Sequence, residues 1–152
     1  MKELQGRASA EIDVPISDCF TLLASIDRYP AWFEVVRDAE VLEWEPDGRP
    51  RLARVELYVP QSPFGTDFKL LVLIEGEHPE TMQFTKLPAD AADQDRLELT
   101  WRLRENGFTE IEFEFDAAVS FVPGYIPVGG AGDLIAEAIL DAATAAFTSP
   151  LG

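Results

Sequence analysis

The stretch TEIEFEFDAAVSF, Thr109–Phe121, decides the fold of this chain because its residues alternate between apolar and acidic types. Every second position is apolar: Ile111, Phe113, Phe115, Ala117, Val119 and Phe121. Most positions between them are acids: Glu110, Glu112, Glu114 and Asp116. A period of two is typical of a β-strand with one buried and one solvated face. The question is whether the buried face covers a solid core or a cavity that holds another molecule.

The strand before this stretch, RLELTWRLR, has the same period and is joined to it by ENGF. A two-residue Asn-Gly turn would place an apolar residue of one strand opposite an acid of the other. A three-residue loop over 106–108 instead sets Trp101 opposite Phe113 on the buried face. It also sets Arg104 opposite Glu110 on the solvated face, a favourable cross-strand pair. We therefore predict a hairpin with the three-residue loop.

The length and composition of the chain limit the kinds of protein that it can be. With 152 residues, 47% of them hydrophobic, we expect a single domain over 1–152. The chain contains no run of about 18 apolar residues, the length that a membrane-spanning helix needs, so we expect no membrane insertion. The opening residues lack the apolar segment of a secretory signal, and a lone cysteine, Cys19, cannot form an internal disulfide. These features favour a cytoplasmic protein.

The net charge bears on the choice of partner. The chain has 28 acids and 12 bases, a formal charge of −16. Phosphate backbones and anionic lipid head groups are bound by clustered Lys and Arg, and the densest basic stretch, RPRLAR over 49–54, is surrounded by acids. We therefore expect no nucleic-acid partner. We read the charge as a device for solubility, and we expect a monomer or a weak homodimer.

The remaining elements follow from changes of period along the chain. RASAEIDVP alternates and predicts a first strand, whereas ISDCFTLLASID has the helical period, with Ser17 as its cap. RYPAWFEVV predicts a second short helical segment begun near Pro30. Four or five strands come next. After a bend rich in glycine and proline, the last segment predicts an amphipathic closing helix that ends at Pro150. We place its polar stripe at Asp133, Glu137, Asp141, Thr144 and Thr148, and its apolar side at Leu134, Ile135, Ala138, Ile139, Ala142, Ala145 and Ala146.

This order of elements, α+β in class, resembles the helix-grip fold of the START-like, or SRPBCC, superfamily. SAEIDVPISDCFTLLASIDRYPAWF, 9–33, is similar to the opening of its polyketide cyclase/dehydrase and coenzyme-Q-binding branch, and FVPGYIPVGGAGDLIAEAILDAA, 121–143, is similar to the close. The resemblance implies a curved antiparallel sheet of six or seven strands wrapped around the long C-terminal helix. Two short helices would follow the first strand. The resemblance also implies a hydrophobic cavity between sheet and helix, but it identifies no catalytic residue in this sequence.

Periodicity alone leaves the core open to two interpretations. The closing helix becomes rich in alanine after Ile139, so the sheet could pack tightly on it, or sheet curvature could leave a pocket. The family resemblance favours a pocket near Trp101 and Phe113. Its predicted lining is Leu57, Phe68, Leu70, Phe84, Leu99, Trp101, Phe113, Phe115, Ile135 and Ile139. Its predicted rim is Tyr29, Trp32, Arg37, Phe64 and Tyr125, since tyrosine and tryptophan combine an apolar body with a polar tip.

The residues that could carry catalysis are few. His78, the single histidine, lies in GEHPE, which predicts an exposed turn, and Cys19 lies on the apolar stripe of its helix. We therefore assign no catalytic residue, no metal site and no cofactor. The predicted function is binding of a small hydrophobic ligand, such as a lipid, quinone or polyketide, by a carrier or sensor. The alternatives are a polyketide cyclase/dehydratase that uses the same pocket, and an interaction module with a filled core and an apolar outer patch at Leu71 and Leu73.

Overall fold

The computed structural model describes residues 2–58, 67–119 and 131–148, and in this part of the chain seven strands form one antiparallel sheet. The strands are β1 (Lys2–Ile12), β2 (Val36–Trp44), β3 (Pro50–Tyr58), β4 (Asp67–Glu77), β5 (Thr81–Lys86), β6 (Arg96–Asn106) and β7 (Phe108–Val119). Their order is β1-β7-β6-β5-β4-β3-β2, so β1 pairs with the last strand and forms one edge of the sheet, and β2 forms the other edge. The helices are α1 (Ile16–Ala24), a 3-10 helix (Ile26–Ala31) and α2 (Ala131–Thr148). The predicted helix-grip architecture is confirmed.

The β6–β7 hairpin has the predicted register. Trp101 pairs with Phe113 and Arg104 with Glu110, and the chain turns at Gly107, whose φ of +78° is rare for residues with a Cβ. The Arg104 guanidinium contacts the Glu110 carboxylate at 2.8 Å on the solvated face. The opposite face of β7 is buried. Side-chain alternation therefore sets the register, because a shift of one residue would bury the acids.

The segment between β1 and β2 differs in detail from its prediction. The helix α1 begins at Ile16 after Pro15, whose carbonyl accepts the backbone N–H groups of Asp18 and Cys19, and it has no side-chain cap. Ser17 lies inside the helix, so its prediction as the cap was wrong. The second segment is a 3-10 helix that contains Pro30. The last residue assigned to that segment, Val36, instead begins β2 and is buried in the core.

The start of α2 is fixed on β1 by two glycines. A Cβ added to Gly6 would lie 2.0 Å from the Gly132 carbonyl oxygen, and one added to Gly132 would lie 1.7 Å from the Gln5 carbonyl oxygen. Both distances are far below van der Waals contact, and the atoms involved are backbone. Close approach of the helix to the strand therefore requires glycine at both positions. The Arg7 backbone N–H also donates to the Asp133 carboxylate at 3.1 Å, which ties the same turn to β1.

The buried face of α2 is not the face that its polar stripe predicts. Ala136, Leu140 and Ala143 are buried, while Leu134 is 67% exposed. Ile135 is also exposed and Ile139 is half-buried, so the predicted apolar side includes only the edge of the true contact face. The reason is that alanine and leucine occupy both sides of this helix, so the acids mark its solvated side only loosely. No helix in the described part of the chain is long and apolar enough to span a membrane.

Candidate functional site

A cavity of about 230 Å³ lies between the inner face of the sheet and α2. Its wall includes residues of all seven strands, with Val36 as the contribution of β2, and residues of the 3-10 helix and α2. The lining residues are Leu4, Ile26, Tyr29, Phe33, Val35, Val36, Val55, Leu57, Leu70, Val72, Phe84, Lys86, Leu97, Leu99, Phe115, Ala117, Ile135 and Ile139. The surface that they present is almost wholly carbon. A site of this kind binds by burial of apolar surface, at about 25 cal/mol per Å².

Seven of the ten predicted lining residues surround this cavity: Leu57, Leu70, Phe84, Leu99, Phe115, Ile135 and Ile139. The other three lie elsewhere. Phe68 lines a second groove, which we call the outer groove, and Trp101 and Phe113 lie in packed core. The outer groove is lined by Arg54, Phe68, Lys69, Leu70, Leu71, Lys86, Leu87, Pro88, Ala89, Asp93 and Asp95.

The predicted position of the cavity, beside Trp101 and Phe113, was therefore wrong. Both rings are almost fully buried, with centroids 4.4 Å apart. The helix α1 contacts β5 and β6 at this end, and its Phe20 and Leu23 are also fully buried. Aromatic rings and α1 together fill the space that sheet curvature leaves there. The cavity begins further along the sheet, beyond the reach of α1.

Tyr29 lies where the packed core meets the cavity. Its side chain is 3% exposed, its ring lies 5.7 Å from that of Phe84, and its hydroxyl donates to the Leu23 carbonyl at 2.6 Å. Burial raises the pKa of the phenol far above its usual value, so it stays protonated. The Trp101 indole N–H lies beside this hydroxyl, yet it has no acceptor in hydrogen-bond geometry among the described residues. Tyr29 therefore contributes ring surface to the cavity, while its hydroxyl joins the 3-10 helix to α1.

The remaining predicted rim residues do not line the cavity within the described part of the chain. Trp32 packs against Tyr29 and Phe33, with ring centroids 4.6 and 5.8 Å apart. Arg37 is exposed, with its guanidinium 4.8 Å from the centre of the Tyr58 ring. Phe64 and Tyr125 lie outside the described residues.

Ten residues of the described wall were not among the predicted site residues, and Lys86 is the charged one. It is the last residue of β5, on the same face as Met82 and Phe84, so the alternation of TMQFTK already points it inward. Its side chain is 6% exposed, and its ammonium contacts the Asp93 carboxylate at 2.5 Å. Asp93 also accepts the backbone N–H groups of Ala89 and Asp95. The Lys86 hydrogen bond, followed by these two, lowers the pKa of Asp93 to about 2.

The described cavity wall offers little for acid–base or nucleophilic chemistry. It contains no histidine, cysteine or acid, and its two polar side chains, Tyr29 and Lys86, are already bonded to Leu23 and Asp93. Cys19 is fully buried in the packed core, and burial raises the pKa of its thiol to about 11, which keeps it protonated. His78 is exposed and lies edge-on to Phe20. No group of three potential metal-ligating residues occurs among the described residues.

Comparison with known proteins relates the chain to a family at the level of sequence. The model of the family described as polyketide cyclase / dehydrase and lipid transport matches residues 12–144. The match runs from the last residue of β1 into α2 and includes every described lining residue of the cavity except Leu4. No curated protein matches the chain in sequence.

Several solved structures have the same fold at low sequence identity. A START superfamily protein from Mycobacterium smegmatis is 14% identical, with a TM-score of 0.68 over 93% of this chain and 92% of its own. An aromatase/cyclase from Streptomyces sp. R1128 is 14% identical, with a TM-score of 0.61 over 97% of this chain and 87% of its own. A protein from Thermus thermophilus is 17% identical, with a TM-score of 0.59 over 91% of this chain and 85% of its own. At these identities the likeness extends to the fold alone.

Proposed function

This chain belongs to the polyketide cyclase/dehydrase and lipid transport family, and from that premise we propose that it binds a small hydrophobic molecule in the cavity between the sheet and α2. The chain would act as a carrier or sensor in the cytoplasm. The ligand would be a lipid, a quinone or a polyketide-like molecule, held mainly by apolar burial.

The observation that carries this proposal is the carbon lining of the cavity. Protein interiors are close-packed, so a void of about 230 Å³ in a domain of this size is a departure that costs stability. Some of the apolar side chains that bound the cavity, such as Val55 and Val72, are small enough that a residue with one more methylene could have partly filled it. A bound apolar molecule would restore the dispersion contacts that these side chains lack.

Cyclisation of a polyketide is the second candidate, because the family description includes cyclases and an aromatase/cyclase shares the fold. Folding a flexible chain into a reactive shape could supply part of the rate by proximity. Aldol cyclisation also requires a group that removes a proton near the substrate carbonyl. The described wall lacks a free group of that kind, since Tyr29 donates to Leu23 and Lys86 is paired with Asp93. This observation favours binding over catalysis.

The first test is a titration with N-phenyl-1-naphthylamine, a neutral probe whose fluorescence rises in apolar surroundings. We expect saturable binding to the wild type. Val55→Phe places an aromatic ring in the cavity wall and should weaken probe binding by about tenfold or more. A loss of about 1.4 kcal/mol in the free energy of burial is enough for that change.

The matched control is Leu52→Phe on the same strand. Leu52 is half-buried on the opposite face of β3 and pairs with Leu73, so the same ring is added outside the cavity. Probe affinity should be unchanged in this variant. Absence of probe binding to the wild type, or equal losses in both variants, would contradict the proposal. If Val55→Phe does not fold, Ile139→Phe on α2 offers the same test from the opposite wall.

A further inference from the structure

Lys86 is an unusual residue for the wall of an apolar cavity. Its side chain is 6% exposed, whereas the other basic side chains in the described ion pairs are 29–73% exposed. Burial of an ammonium costs free energy unless a partner compensates it, and leucine at this inward position would continue the apolar wall at no such cost. The charge therefore calls for an explanation beyond packing.

Two cavities share the Lys86 side chain. It belongs to the wall of the apolar cavity and also to the wall of the outer groove, and Leu70 is the other residue common to both. The stem of Lys86 therefore lies on the boundary between an apolar interior and a polar groove. A molecule that filled the cavity and extended past this boundary would meet the ammonium.

The described lining of the outer groove is less acidic than the chain as a whole. Its described lining has three bases, Arg54, Lys69 and Lys86, and two acids, Asp93 and Asp95, while the whole chain has 12 bases and 28 acids. Nearby acids still contribute, because Arg54 lies 3.8 Å from Glu40, and Lys69 pairs across the strands with Glu56. A negative group in the outer groove would therefore meet three cations, each of which already has an acid nearby.

The ammonium of Lys86 has capacity for a further acceptor. It carries three N–H donors; one reaches Asp93, and the Leu87 carbonyl at 3.4 Å is at the limit of hydrogen-bond distance. Asp93 does not depend on Lys86 alone, since the backbone N–H groups of Ala89 and Asp95 also hold its oxygens at 2.9 and 3.0 Å. Lys86 can therefore share its charge with a second anion while Asp93 stays in place.

We propose that Lys86 is the group that selects the ligand, and that the ligand is an amphipathic acid. The apolar body of the ligand fills the cavity, and its carboxylate pairs with the Lys86 ammonium at the boundary with the outer groove. This inference rests on the proposed function and narrows its ligand class from any hydrophobic molecule to one with an acidic end. A charge-assisted hydrogen bond in these surroundings is stronger than a neutral one, which is why a lysine would be retained there.

The test compares decanoate with decanol by isothermal titration calorimetry near pH 8, below the concentration at which either aggregates. The two probes share one apolar chain and differ in the charge of the end group. We expect the wild type to bind decanoate about tenfold more tightly. Lys86→Met keeps the apolar stem and removes the charge, so the preference for decanoate should disappear while decanol binding stays.

The matched control is Lys69→Met, which removes the same charge from the outer groove at an exposed residue outside the cavity wall. It should keep the preference for decanoate. Equal affinity of the two probes for the wild type, or equal loss in both variants, would overturn the inference. If Lys86→Met does not fold, Asp93→Asn takes its place: decanoate affinity should rise because a competing carboxylate is removed, and an unchanged affinity would count against the proposal.

The same experiment separates the two levels of proposal. Binding of the neutral naphthylamine probe without any preference for decanoate would leave the hydrophobic cavity in place and remove the role of Lys86. If the naphthylamine probe, decanol and decanoate all fail to bind, both the proposed ligand-binding cavity and the proposed role of Lys86 are contradicted.

Discussion

Two ends of one sheet face are equally apolar in sequence, yet one is solid and the other is hollow. At the solid end a cross-strand row joins Ala8, Phe113, Trp101 and Met82. At the hollow end, four residues further along β7 and about 13 Å away, Leu4, Ala117 and Leu97 form a row of the same alternation. Only the first row is covered by α1. The comparison shows that a helix crossing one part of a curved sheet determines where its core is filled.

Side-chain size follows the same division without determining it. The solid row contains tryptophan, phenylalanine and methionine beside Ala8, and the hollow row contains alanine and leucine. On β4, Val72 also lines the cavity, and it pairs with Lys86. Between the two rows, Phe115 and Phe84 line the cavity although they are large. Large residues therefore occur on both sides of the boundary, and α1 marks the difference, since no residue of α1 is in the described lining of the cavity.

The strongest test of this comparison replaces two phenylalanines that lie two residues apart on one face of β7. Phe113→Ala should lower the free energy of unfolding by about 3–5 kcal/mol, because it opens a void in close-packed core. Phe115→Ala should cost less, since that ring already faces the cavity. Urea unfolding of both variants measures the difference. Equal costs would mean that the two ends are packed alike.

A second test moves the wall of the hollow end. Gly6→Ala directs a Cβ at the Gly132 carbonyl oxygen, so the start of α2 must shift away from β1, at a cost of about 1–3 kcal/mol. Because Ile135 and Ile139 lie on the same helix, naphthylamine binding should weaken as well. Gln5→Ala, at the exposed neighbouring position, serves as the control. A loss of stability with unchanged probe affinity would show that the position of α2 does not shape the cavity.

Tyr29 tests the boundary between the two ends. Tyr29→Phe removes the hydrogen bond to the Leu23 carbonyl and leaves that acceptor buried, which should cost about 1–3 kcal/mol of stability. Naphthylamine affinity should stay constant, because the hydroxyl is turned to Leu23 and the ring surface remains. Parallel measurement of urea unfolding and probe titration decides the point. If affinity falls while stability holds, the hydroxyl contacts the ligand instead.

The smallest expected effect concerns the loop beside the hollow end, where Asp93 pairs with Lys86. The pKa of Asp93 is lowered to about 2, against about 3.9 in an unfolded chain, so its stabilising contribution is present above pH 4 and is lost as the pH falls through 2. The free energy of unfolding of Asp93→Asn should therefore fall less steeply from pH 4 to pH 2 than that of the wild type. If the free energy of unfolding changes equally with pH in the wild type and in Asp93→Asn, the Lys86–Asp93 pair does not hold the loop.

The sequence by itself predicted the strands, the register of the β6–β7 hairpin and, through the family resemblance, the helix-grip order. Alternation fixes which face of each strand is buried, since a shift of one residue would bury Glu110 and its neighbours. It also placed five of the cavity-lining residues, Leu57, Leu70, Phe84, Leu99 and Phe115, on the inward face. It pointed Lys86 inward as well, although the charge of Lys86 concealed that signal. These are local properties, because each depends on the order of side chains along one strand or across one turn.

Only the tertiary structure decided where the cavity lies and which face of α2 closes it. Trp101 and Phe115 share one inward face, and their different surroundings come from α1, which packs over one and not the other. The contact face of α2 is set by Gly132 against Gly6, a backbone approach that hydrophobic periodicity does not record. An empty volume depends on the positions of several elements at once, so no pattern along the chain encodes it.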